Sequence, residues 1–425
     1  MMSTEQEKAL HLAVEAGHIL LENGAEISRV EETMQRISSH YGVEGQNFFV
    51  LSNGIIATGQ QYANAKFIPI KGMQLSRVVA VNQASRDIAY GKRKVSLDEL
   101  SSRLKEIRAS KGKPWWELML GVALGVSSFC ILFGGSLPDA AATFFCGLIL
   151  GLFMAFVSPH LSRIFSNMIG GLVGGILCII AVQISTGLWP TTTTPLHLPN
   201  MIIGTIIALV PGVPFTNGIR DLANEDYIAG ATRLLDAFLA FLCIALGVML
   251  ALIFYSALPL STFKFQLSTP DIDPVAASWY IQLAAAFIGT IGFSVLFGAP
   301  RKYYISCGIT GMLGWALYLL LIRDTTMSVV GAAFFAALLV AAVSHLLAGI
   351  RRCPVTVFLI CGIIPLVPGG GIFWTAYHLV ADHLHMATTT GFTALKVTIA
   401  IAGGIIVATA IGTRFYKKLK TKATH

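Results

Sequence analysis

Residues 201–221 read MIIGTIIALVPGVPFTNGIRD, and residues 358–380 read FLICGIIPLVPGGGIFWTAYHLV. In each, an apolar run (Met201–Leu209 and Phe358–Leu366) meets a Val-Pro-Gly triplet, Val210-Pro211-Gly212 or Val367-Pro368-Gly369, and a more polar helical stretch follows. Proline removes a backbone donor and clashes with the preceding turn, so each apolar helix should break there. In lipid an unpaired backbone group costs several kcal/mol, so a break at membrane depth must face protein or a water-filled cavity. Paired interruptions in the two halves of a chain are the sequence mark of a transporter binding site.

The rest of the chain supplies the membrane setting. Of 425 residues, 55% are hydrophobic and 12% are charged, against roughly 25% charged in soluble domains. A span needs about 20 apolar residues, and ten such segments can be read. They are Trp115–Phe133, Asp139–Val157, Phe165–Leu188, Pro199–Leu222 and Ile228–Leu258, then Ala276–Ala299, Tyr303–Ile322, Ser328–Leu347, Cys353–Leu379 and Thr389–Phe415. The breaks fall in the fourth and the ninth. Five spans separate them, so the expected architecture is two five-span halves, 114–258 and 259–425, in inverted orientation. Beyond Val-Pro-Gly and its surroundings, the repeat is faint.

Half of the 30 lysines and arginines precede residue 115. The others cluster in alternate loops: His160/Arg163, Arg220/Arg233, Arg301/Lys302, Arg351/Arg352 and the tail from Arg414. The intervening loops, 189–198 and 259–275, are poor in them. By the positive-inside rule both termini are expected in the cytoplasm of a bacterial inner membrane, and the net charge of +8 does not signal nucleic acid. Met1–Gly24 has no apolar core of a cleavable signal. Gly121/Gly125, Gly147/Gly151 and Gly170/Gly174 with Gly171/Gly175 have the GxxxG spacing that lets helices approach closely in lipid. The seven cysteines have no metal-ligand spacing and read as small packing residues.

Residues 1–113 form a different kind of unit. Helical periodicity over Glu7–Glu22 and Ala25–His40 gives way to short β-branched and aromatic runs at Asn47–Leu51, Ile55–Thr58 and Lys66–Ile70. Helices Leu75–Tyr90 and Leu97–Arg108 follow, the second opening on Ser96 and Glu99 at capping-box spacing. The expectation is a small α+β cytoplasmic domain of order ααβββαα. It has no phosphate loop, nucleophile elbow or His/Cys cluster. Glu26, Arg29, Glu32 and Arg36 make either a solvated ion-pair face or a docking surface.

The polar residues after the first break are the candidate site. Pro211 and Gly212 open the backbone, Thr216 and Asn217 offer hydrogen bonds, and Arg220 and Arg233 offer charge. A restarted helix aims its free N–H groups at a substrate carboxylate. Asp221, Asp226 and Asp236 are candidates to carry a coupling proton. Alternatively, 220–226 is an ordinary loop and Arg233 and Asp236 snorkel to the surface. The second break adds Gly369, Gly370, Gly371 and Thr375 as substrate contacts and His378 as a further candidate to carry the coupling proton, or else as an interfacial structural histidine. Charges inside a bilayer usually face the bundle interior.

LLENGAEISRVEETMQRISSHYGV (Leu20–Val43), VPGVPFTNGIRDLANEDYIAGATRLLDA (Val210–Ala237) and PLVPGGG (Pro365–Gly371) together resemble the threonine/serine exporter family, in the form with both family segments in one polypeptide. The resemblance implies ten spans, a cytoplasmic N-terminal domain and proton-driven export of threonine or serine. Some relatives are assigned dicarboxylates such as succinate and work as two subunits. Pro211, Gly212, Asn217, Arg220, Asp221, Gly230 and Arg233 match the family motif. The expected partners are a small-molecule substrate, the lipid bilayer and protons, with a homo-oligomer allowed. No cofactor, metal or enzymatic activity is expected; besides the dicarboxylate exporter, the remaining alternative is a membrane-bound enzyme or sensor that uses the N-terminal domain.

Overall fold

The computed structural model describes residues 4–43, 45–59, 62–68, 72–91, 95–188, 196–223, 225–257 and 278–422. They divide into two compact units. Most of the loop expected at 189–198 (residues 189–195) and all of the loop expected at 259–275 lie outside the described residues.

The first unit comprises residues 1–113 with the short segments 297–301 and 348–357. Helices α1 (Thr4–Glu22) and α2 (Ile27–His40) precede strands β1 (Asn47–Leu51), β2 (Gly54–Gly59) and β3 (Tyr62–Phe67), and α3 (Leu75–Tyr90) and α4 (Leu97–Ala109) follow. The strands form an antiparallel meander, β1-β2-β3. Leu51 pairs with Gly54 across the first turn and Gly59 with Tyr62 across the second. β3 begins four residues before the Lys66–Ile70 run, because β2 is long enough to extend the ladder back to Tyr62. Its inner face carries Ile55 and Ala57, packed with Leu10, Val14, Val30, Met34 and Val78 in one buried core. Ser96 caps α4 by accepting the Glu99 N–H. Gln74 at the start of α3 gives no such side-chain cap. Instead the Leu75 and Ser76 N–H groups donate to the carbonyls of Phe297 and Gly298, both at 2.9 Å. Gly298 lies at φ +64°, and a methyl group there would meet Gln74, so this contact requires glycine.

The second unit holds α5 (Trp115–Leu132), α6 (Leu137–Leu152), α7 (Arg163–Leu188), α8 (Leu198–Ile206), α9 (Gly212–Ala223) and α10 (Tyr227–Ser256). It then holds α11 (Trp279–Leu296), α12 (Tyr304–Asp324), α13 (Val329–Arg351) as far as Leu347, α14 (Thr356–Ile363) from Phe358, α15 (Gly369–Val380) and α16 (Leu384–Lys422). Among the described residues, eight helices are long and apolar enough to cross a membrane, and nine segments are if the bent pair α14–α15 counts as one. This is a polytopic α-helical membrane protein. The fourth span breaks, as expected. It is α8 and α9, separated by residues 207–211, and α8, at 1.5 Å per residue, is far shorter than the roughly 30 Å of a bilayer core.

Each half therefore runs long, long, long, broken, long. The register of the repeat is closer than the sequence alone suggests. Pro211 corresponds to Pro368, Asp221 to His378, Glu225 to Asp382, Asp226 to His383 and Gly247 to Gly404, at constant offset with no gap. The backbone repeats with it. Glu225 and Asp382 are both left-handed, at φ 68° and 60°. The Asp226 N–H donates to Asp221 O at 2.9 Å and the His383 N–H to His378 O at 2.8 Å. Gly247 on α10 abuts the α7 backbone at Met168 and Leu172, and Gly404 on α16 abuts α13 at Phe334 and Leu338.

Small residues also join the halves at α5 and α11. A methyl group on Gly292 would lie 2.5 Å from Gly121 O and 2.6 Å from Gly125 N. The GxxxG of the first span thus packs against the first span of the second half. Gly292→Leu should cost about 1–3 kcal/mol by overpacking, seen as a lower thermal midpoint in detergent, while Gly187→Leu, with nothing within 4 Å of it, should leave the midpoint unchanged.

In the first unit, His18 is buried 4.0 Å from Glu22. Burial first, then the charges of Lys66 and Arg108, lower its pKa below the ordinary histidine value. The unfolded chain thus takes up a proton that the folded unit refuses. This stabilising contribution is complete above the unfolded pKa of about 6.5 and is lost as pH falls from there through the lowered folded value. Amide exchange of this unit should quicken between pH 7 and 5, and His18→Gln should flatten that slope.

Candidate functional site

The two breaks meet. α8 ends at Ile206 and α9 restarts at Gly212; α14 ends at Ile363, passes through a tight turn at Ile364–Leu366, and α15 restarts at Gly369. A methyl group on Gly212 would lie 2.6 Å from Val367 Cγ1, and one on Gly369 would lie 2.8 Å from Ile207 Cδ1 and 3.1 Å from Val210 Cγ1. Each Val-Pro-Gly therefore packs its glycine against the valine of the other. α14 and α15 are bent by 55°. Pro368 gives α15 no side-chain cap and the Gly369 N–H turns back to Val367 O at 2.7 Å, so the positive dipole end of that helix lies at the meeting point.

Helix α9 continues to Ala223 and carries the buried Asp221; 220–223 are thus helix rather than loop, and Glu225 lies in a turn. Asp221 pairs with Arg233 of α10 at 2.5 Å, and the two side chains are 9% and 10% exposed. The pair is possible because α9 folds back tightly on α10: Gly218 approaches Gly230 and Leu234, and Gly230 approaches Gly218 O and Leu222. Asn217 is half-buried on the same helix, and Asp226 is the residue from which α10 starts. The side chains of Thr216 and Arg220 lie outside the described residues. Asp236 stands apart. It is exposed and pairs with Arg163 of α7 at 3.3 Å.

On α15, Gly370 approaches Phe133 and Ile203, and Gly371 approaches Ala394. The Thr375 hydroxyl is already engaged, 2.8 Å from Gly371 O and 3.1 Å from Thr390 Oγ1. His378 is 2% exposed and sits in an aromatic cluster, its ring centroid 5.7 Å from Trp374, 5.6 Å from Tyr377 and 5.9 Å from His383. Phe373, Trp374 and Tyr377 belong to the same buried cluster as Ile202, Ile203, Phe241 and Ala394.

Sequence reasoning missed two features. One is Trp374, hidden among ordinary apolar residues. The other is Asp139, fully buried. Its carboxylate accepts from the Ser136 N–H (2.8 Å) and hydroxyl (2.7 Å) and from the His197 N–H (2.8 Å), and lies 2.9 Å from His197 Nδ1. The Ser136-x-x-Asp139 spacing was its available signal, since it forms a capping box.

The sequence of each half matches a family model. Residues 11–255 match the model described as putative threonine/serine exporter, and residues 282–411 match the one described as threonine/serine exporter, ThrE. The chain belongs to the threonine/serine exporter family. It is similar to a threonine/serine exporter of Corynebacterium glutamicum, 23% identical over 97% of this chain and 83% of that one. It is also similar to the probable succinate transporter subunit YjjP of Escherichia coli, 25% identical over 59% of this chain and 96% of that one. No solved structure matches it. The first family segment ends within α10 and the second begins in α11, so the break of each half lies inside its own exporter segment.

The Asp221–Arg233 pair is testable by substitution. Removing the Asp221 carboxylate leaves Arg233 buried without this partner, at about 3–5 kcal/mol. Asp221→Asn alone should thus lower the thermal midpoint in detergent more than the double Asp221→Leu/Arg233→Leu variant, whose apolar pair restores balance.

Proposed function

We propose that this chain exports threonine and serine across a bacterial inner membrane, driven by the proton gradient. The observation that carries the reading is the packing of the two Val-Pro-Gly breaks against each other within exporter-family segments. Facing breaks place two helix starts and their polar stretches at one locus, the arrangement alternating access uses. In this reading the chain crosses the membrane ten times, counting α8–α9 and α14–α15 as broken spans. The halves are inverted, both termini and residues 1–113 are cytoplasmic, and the basic loops support that orientation.

Pro211, Gly212, Thr216, Asn217, Arg220, Arg233, Gly369, Gly370, Gly371 and Thr375 are proposed to line the substrate path. Asp221 and Asp226, at the end of the first arm, are the better placed proton carriers; Asp236, exposed against Arg163, is the weaker. Transport by a single chain or by a homo-oligomer is compatible with these features. A dicarboxylate such as succinate is the second reading, supported by the similarity to the Escherichia coli subunit.

Reconstitution in liposomes decides between them. Labelled threonine and serine should move faster with a pH gradient than without, and faster than succinate. Equal flux with the gradient collapsed removes the proton coupling, and a preference for succinate removes the amino-acid reading.

A further inference from the structure

Most buried polar side chains of the second unit have partners. Asp139 is saturated. Asn200 donates to Phe133 O at 3.0 Å, Gln282 to Ile131 O at 3.2 Å, Trp315 to Gln282 at 3.0 Å and Tyr304 to Glu117 at 2.6 Å. Trp374 and His378 break this pattern. Trp374 Nε1 and both ring nitrogens of His378 are buried with no hydrogen-bond partner, although each residue is 2% exposed. A buried polar group left unpaired costs about 1–3 kcal/mol, and here three such atoms occur on side chains one helical turn apart, with rings 5.7 Å apart and nearly parallel.

The repeat places this pair. Trp374 and His378 occupy the positions that Asn217 and Asp221 hold in the first half. They lie on the helix that starts at the second break, on the stripe of Gly370. The two arms share a backbone but not a chemistry. In the first, Asp221 is committed to Arg233. In the second, the equivalent side chain has hydrogen-bonding capacity that the protein leaves unused.

We propose that Trp374 and His378 form the polar anchor of the substrate, taking a carboxylate together with an adjacent hydrogen-bond donor. This rests on the exporter reading and narrows its substrate class. Indole Nε1 is a donor only, and a neutral imidazole offers one donor and one acceptor. Two donors suit the two oxygens of a carboxylate. The remaining imidazole nitrogen needs a hydroxyl or ammonium, which a hydroxy amino acid supplies and a fully ionised dicarboxylate does not. The donor set therefore selects threonine or serine over succinate. Phe373 and Tyr377 supply apolar wall beside it.

The test uses the full chain in proteoliposomes with labelled threonine, and threonine amide and succinate as competitors. Trp374→Phe keeps the ring and removes the N–H; His378→Phe removes both nitrogens. Trp374→Phe should raise the KM for threonine about tenfold, the worth of one hydrogen bond to a charged group, His378→Phe, which removes two contacts, should raise it further, and both should narrow the preference for threonine over its amide. Because each variant also deletes an unsatisfied buried group, its thermal midpoint without substrate should be equal to wild type or higher, while the upward shift given by added threonine should shrink. A purely structural role predicts the opposite: a lower midpoint and an unchanged KM. Wild-type KM and amide discrimination in both variants, with intact wild-type flux, would overturn the site alone. Should wild type move succinate and not threonine or serine, the assigned substrate class falls. Should it move none of the three, the exporter reading falls and the anchor with it.

Discussion

A peptide group that leaves a helix inside a membrane must find a substitute for water. The two Val-Pro-Gly breaks solve this together. Gly212 sits against Val367 and Gly369 against Val210 and Ile207, so each interruption is shielded by the other. Tight local turns recover part of the lost bonding: the Gly212 N–H donates to Val210 O and the Gly369 N–H to Val367 O. A side chain at either glycine would hold the breaks apart. Glycine thus acts here as a spacing requirement, set by the need to keep broken backbone out of lipid.

That constraint explains the symmetry. Two interruptions that shield each other are most simply made as two copies of one element, and the copies agree down to the hydrogen bonds and left-handed residues that close the turns after α9 and α15. Where the copies diverge, packing does not demand it. Gly218 in one is Thr375 in the other, and Arg233 is Thr390; the tight glycine contact and ion pair of the first arm become a pair of hydroxyls 3.1 Å apart in the second. The backbone is held by the fold, and the side chains are where the two arms became chemically distinct.

How much of this was legible depended on the range of the interaction. Local signals read well: α3 spans the Leu75–Tyr90 read from periodicity, Ser96 caps α4, and the Pro-Gly pairs mark both breaks. Hydropathy found the long spans, and the Pro-Gly pair divided the fourth into α8 and α9 as expected, although the helix ends at Ile206, earlier than the Val210 at which the apolar run meets the triplet. The repeat looked faint because most matched positions differ in residue type while sharing conformation; Glu225 and Asp382 share their left-handed turn, a conformation that aspartate tolerates better than glutamate and that the sequence does not flag at Glu225. Partner choice was least legible. Nothing in the sequence tells that Asp236 goes to Arg163 while Asp221 goes to Arg233, since each pairing joins different helices. Trp374 reads as one more apolar residue until its nitrogen is seen to be unmatched.

The close-packed and the broken elements divide the labour of the second unit. α7 with α10, α13 with α16, and α5 with α11 touch backbone to backbone through glycine, and such contacts have little room to slide. Short α9 and α15 are different. Each is bounded by a break at its start and by a left-handed residue after its end, a conformation that costs on the order of 1–3 kcal/mol in a residue other than glycine. Strain at the same point in both arms is tolerated only where the surroundings fix it, and those surroundings are the rigid glycine-packed pairs. α9 and α15 are thereby short elements with defined ends, held in a close-packed frame, and of the two, among the described residues, it is α15 that carries buried polar atoms without a bond, Trp374 Nε1 and both ring nitrogens of His378.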